Sequence, residues 1–96
     1  MPRAAPQTVE FAIRGPIARA DLPGLCARVC ALLEAASPGV AVCDVRDVPA
    51  DAVTVEALAR LQLGARHRGC RVRLRRASPQ LRGLIDFMGL ANVLAE

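Results

Sequence analysis

Two segments near opposite ends of this chain alternate apolar and polar residues, and that period constrains the fold more than any other feature. Over residues 8–14, Val9, Phe11 and Ile13 fall on one side, with Thr8, Glu10, Ala12 and Arg14 on the other. Over residues 70–76, Cys70, Val72 and Leu74 oppose Arg71, Arg73 and Arg75. A period of two is that of a β-strand with one buried face. Between them, residues 40–45 form a short apolar run with Asp44 near its end. Its brevity and β-branched content predict a buried central strand.

The intervening segments carry helical spacing. Asp21 can cap a helix with Pro23 in its first turn, and Leu22, Cys26, Val29 and Leu33 form its stripe, widened by Leu25 and Leu32. Ser37-Pro38-Gly39 ends it. A second helix is predicted from Ala52 to about Arg68, with Val55, Leu58, Leu61 and Ala65 inward. Its last turn holds Arg66, His67 and Arg68, where positive charge suits the helix dipole, and Gly69 can take the left-handed position beyond. Ser78-Pro79 opens a third helix, with Leu81, Leu84, Ile85 and Met88 at i, i+3, i+4 and i+7. Gly89 stops it. Residues 1–7 read as a flexible N-terminal arm, and residues 8–96 as one domain.

The order is β-α-β-α-β-α. Strands alternating with helices imply right-handed crossovers. The polar side of the outer strands requires one sheet face to be partly solvated. The expectation is an α/β fold, with a small mixed sheet and helices mainly on one face.

Composition then narrows function. At 96 residues the chain is one domain, and folding at that length buries roughly 60–70% of the unfolded surface. Only Phe11 and Phe87 are aromatic, so the core must come from Leu, Val, Ile, Ala and Cys. All 13 basic residues are Arg, which reads as the coding bias of a GC-rich genome. The net charge of +4 is spread along the chain without interleaved aromatics, unlike a nucleic-acid binder. Neither an 18-residue apolar run nor a leader pattern is found, so a cytoplasmic location is expected. The spacing of Cys26, Cys30, Cys43 and Cys70 fits no zinc pattern, and all four are expected to be small core residues. Catalysis has little to work with: His67 stands alone, Lys and Tyr are absent, and Ser37 and Ser78 each precede a proline. The chain is expected to be neither an enzyme nor a cofactor or metal protein.

Several segments, in order, resemble the STAS domain family over residues 8–94. They are Phe11-Ala12-Ile13-Arg14-Gly15-Pro16-Ile17, Val42-Cys43-Asp44-Val45, residues 51–61, residues 68–74, Ser78-Pro79-Gln80-Leu81-Arg82 and Met88-Gly89-Leu90. The resemblance implies a STAS-like fold and a role like that of anti-sigma-factor antagonists. The implied partner is an anti-sigma factor that is also a serine kinase, and a weak homodimer is allowed. The implied contact residues are Pro49, Asp51, Ala52, Val53, Thr54 and Val55. Partner-switching members carry Asp-Ser-x-Gly at the start of the second helix, and the Ser is phosphorylated. Here the matching stretch is Asp51-Ala52-Val53-Thr54, so Ala52 occupies the acceptor position and the standard switch is lost. Thr54 is the nearby hydroxyl, either a displaced phosphoacceptor or a capping residue. An alternative within the resemblance is an accessory subunit of a lipid-transport ABC system, whose partner would be the ATPase. A third is a sensor binding a small ligand beside the same loop.

Overall fold

The structure, a computed structural model, describes residues 8–37 and 39–95; the expected arm, residues 1–7, lies outside these. Three strands form one sheet in the order β1-β2-β3: β1 (Thr8–Arg14), β2 (Val40–Asp47) and β3 (Arg71–Arg75). Both pairs are parallel, with Glu10 opposite Val42 and Val42 opposite Arg73. Among the described residues the sheet is therefore all parallel, where a mixed one was expected. Each strand is joined to the next through a helix, which returns the chain to the same end of the sheet.

The helices are α1 (Leu22–Ala36), α2 (Ala52–Arg66) and α3 (Pro79–Phe87). A short 3-10 turn, Arg19–Asp21, precedes α1. That turn displaces the expected cap: Asp21 makes no side-chain bond to α1, and its carboxylate accepts from the Ala18 N–H at 3.2 Å. Ser78 does cap α3, its Oγ accepting from the Leu81 N–H at 3.0 Å. Gly69, at φ +72°, supplies the left-handed turn between α2 and β3.

The helices cover one face of the sheet. Ala41, Cys43 and Val45 of β2, with Val72 and Leu74 of β3, meet Leu22, Val29 and Leu33 of α1 and Val55, Leu58 and Leu61 of α2. Leu81, Ile85 and Leu94 close the core beyond β3. Burying each of these aliphatic side chains contributes roughly 1.5–3 kcal/mol, so packing decides where α2 docks. The opposite face of β2 is only half-buried, at Val40, Val42 and Asp44, so this strand is not enclosed on both sides. Glu10 and Arg75 bridge over Val42 through a 2.5 Å ion pair. Cys43 and Cys70 lie in the core as expected, whereas Cys26 and Cys30 are only half-buried on α1. Burial, with Asp44 adding to it, pushes the Cys43 thiol up to about 12. It is held as an inert hydrophobe.

One polar side chain interrupts this core. Gln62 of α2 is 2% exposed. Its Oε1 accepts from the Val72 N–H at 2.8 Å, and its Nε2 donates to the Val72 and Val93 carbonyls at 2.9 and 2.8 Å. The side chain thus pairs with the outer edge of β3 as a neighbouring strand would. Beside it, the Leu74 N–H donates to the Ala95 carbonyl. An unpaired strand edge is a template for aggregation, and this one is closed by an amide and the chain's last described residues.

Candidate functional site

The predicted contact loop leaves the C-terminal end of β2 and enters α2. Two contacts hold it against the turn after β1. The Gly15 N–H donates to the Asp47 carbonyl at 3.0 Å, and a Cβ on Gly15 would overlap Pro49 Cδ. Only a glycine lets the two backbones approach so closely. Asp44 steadies the end of β2 rather than facing a ligand. Its Oδ1 accepts from the Arg46 N–H at 2.9 Å, and its Oδ2 lies 3.6 Å from Arg76.

Asp51 is the N-cap of α2, in extended conformation, and its Oδ1 accepts from the Thr54 N–H at 2.8 Å. Its side chain is exposed, as are Asp47, Ala50 and Ala52, while Pro49 and Val53 are half-buried. One turn further on, Glu56 pairs with Arg19 from the 3-10 turn and with Arg60 at 2.8 Å. These are surface pairs, each worth about 1 kcal/mol at most. The loop therefore presents two carboxylates and short apolar side chains on a firmly seated backbone.

Two of the predicted site residues belong elsewhere. Thr54 and Val55 are both 0% exposed, because the first turn of α2 directs them onto the sheet. Thr54 is thus neither a surface contact nor an accessible phosphoacceptor, and Val55 is a core residue. The Thr54 Oγ1 is buried without a hydrogen-bond partner; the capping bond uses its backbone N–H, not its hydroxyl. With Ala52 in the outward position, residues 49–55 expose no hydroxyl side chain at all.

Nothing in the loop assembles a nucleophile with a base, and among the described residues no three His, Cys, Asp or Glu side chains cluster as metal ligands. No described helix is long and apolar enough to cross a membrane. His67, at the exposed end of α2, is about 24 Å from Asp51 along the helix. Sequence reasoning missed Gln62, although a signal was present. Val55, Leu58, Gln62 and Ala65 are spaced by three, four and three residues, which places the amide on the buried stripe.

Comparison with known proteins agrees with this architecture. A family model described as "Mlab, STAS domain" matches residues 1–95. The crystal structure of a sulfate transporter family protein from Wolinella succinogenes superposes with a TM-score of 0.68 at 26% identity, covering 92% of this chain and 71% of that one. No curated protein gives a significant match. With the family model matched along nearly its whole length, and the strand and helix order to go with it, the chain belongs to the STAS domain family.

Proposed function

We propose that this domain is a protein-binding regulator, similar to anti-sigma-factor antagonists, that docks its partner on the loop into α2. Pro49, Asp51, Ala52 and Val53 form the contact surface, and Thr54 and Val55 anchor it from below. The observation that carries this reading is a loop fixed at both ends yet exposed along its outer side. A preformed surface loses little conformational freedom on binding. The partner is an anti-sigma factor of the serine-kinase type, and no catalytic step is assigned to the chain itself. With Ala52 outward and Thr54 buried, docking is constitutive, because a phosphate's added charge of about −1.5 to −2 has no exposed acceptor in this loop.

The same missing hydroxyl favours a second reading, an accessory subunit of a lipid-transport ABC system. That role needs no phosphoacceptor, and its partner is the ATPase. Affinity capture from the source organism's lysate separates the two, using wild type and an Asp51→Arg, Ala52→Glu variant with bound proteins identified by mass spectrometry. Both substitutions are at exposed positions and loss of the Asp51 cap costs only about 1 kcal/mol, so the variant keeps its fold. An anti-sigma-type kinase enriched on wild type and lost on the variant supports the first reading. An ABC ATPase with the same pattern supports the second. Capture of either partner unchanged by the variant removes the docking surface from this loop.

A further inference from the structure

At the far end of α2, a groove of about 410 Å³ runs along the outer edge of β3. Arg66 overlooks it from the last turn of α2, Arg71 and Arg73 from β3, and Asn92 from the C-terminal segment. All four side chains are exposed, and no acidic residue lines the groove among the described residues. Arg71 and Arg73 project from the same side of the strand, so their Cα atoms are about 6.6 Å apart.

Arginines of this chain divide into those that face a carboxylate and those, such as Arg14, Arg28, Arg46 and Arg82, that face none among the described residues. Arg19, Arg60, Arg68, Arg75 and Arg76 each face a carboxylate. Arg66 and Arg71 have no acidic partner among the described residues. The groove wall is rigid, because Gln62 has both ends of its amide committed to Val72 and Val93. Guanidinium groups offer planar, forked donors that match phosphate oxygens. We infer that the groove between β3 and the C-terminal segment is an anion site that binds a phosphate-bearing ligand, with Arg66 and Arg71 as its principal donors. The site lies about 20 Å along α2 from the loop at Asp51, and it is independent of the partner proposed there.

Two sources share this chemistry, a soluble phosphorylated compound and an anionic lipid headgroup. Calorimetric titration of pyrophosphate into the whole chain at low salt reads the first. Cosedimentation with phosphatidylcholine vesicles, with and without phosphatidylglycerol, reads the second. An Arg66→Gln, Arg71→Gln variant should bind at least about tenfold more weakly in whichever arm is positive, since charge-assisted pairs to phosphate are lost. Arg82→Gln serves as control, being exposed on α3 outside the groove, and should stay within about twofold of wild type. Melting curves for all three proteins should coincide. Binding of pyrophosphate or of phosphatidylglycerol vesicles that is lost in the double variant alone supports the site and identifies the source. Absence of binding in both arms overturns it, as does equal weakening by Arg82→Gln, which would indicate net charge rather than a site.

Discussion

The two ends of α2 are built on opposite plans. At its start, one capping bond from Asp51 and the packing of Pro49 on Gly15 hold a loop whose outer side chains touch little else. Towards its end, Gln62 is inserted into the fold with three hydrogen bonds and closes the edge of β3. Outward residues at the start, such as Ala52, can change character with small effect on the fold, which is where a binding surface can diverge. Residues near the end specify the structure, and exposed arginines gather on the ledge they create. A short loop residue such as Ala52 and a buried amide such as Gln62 therefore answer to different constraints.

Substitutions can break that contrast if it is wrong. The largest effect is expected for Gln62→Leu, which strands the Val72 N–H and the Val72 and Val93 carbonyls. Unsatisfied buried groups cost about 1–3 kcal/mol each, so a loss of about 3 kcal/mol and a fall in Tm of about 15 °C are expected. A fall below about 5 °C would mean that water replaces the amide and that the two ends are not so different. Gly15→Ala comes next, because its Cβ collides with Pro49. Overpacking of this kind costs about 1–3 kcal/mol, and a denaturant midpoint close to wild type would show the loop seat to be loose.

Asp51→Ala removes the cap and should cost about 1 kcal/mol, measured by chemical denaturation. Thr54→Val has the opposite sign. It replaces an unpartnered buried hydroxyl with a methyl of the same shape and should raise stability by up to about 1 kcal/mol. A loss there would reveal a partner for Oγ1. Smallest of all, Ala52→Ser restores the family's hydroxyl at an exposed position and should change stability by less than about 0.5 kcal/mol. If a kinase that binds the wild-type domain also phosphorylates that variant, the missing acceptor is confined to a single side chain.

Much of this was legible before any coordinates. The alternation in β1 and β3 and the stripe of α2 led to the right elements within a few residues, and Ser78 and Gly69 act as their types suggest. Thr54 is instructive because its burial was also present in the spacing. It stands four residues before Leu58 and seven before Leu61, on the stripe that faces the sheet. Reading it as a surface hydroxyl followed the motif and set aside the period. The Asp21 cap failed for a different reason, since a 3-10 turn has no signal strong enough to compete with an Asp-Leu-Pro helix start. Exposure of Leu32 and Met88, at 37% and 41%, shows the apolar stripes to be wider than the sheet they cover.

By itself, the sequence determined the local periods, and with them the identity and order of three strands and three helices. Periodicity is a property of neighbouring residues along one element, so it needs no knowledge of the rest of the chain. The tertiary structure alone decided the pairing of Glu10 with Arg75, the clasp of Gln62 on β3 and the seating of Pro49 on Gly15. It also decided the gathering of Arg66 with Arg71 and Arg73. Each of these joins residues from different elements, and parallel crossovers bring such residues together only once the helices have packed on the sheet.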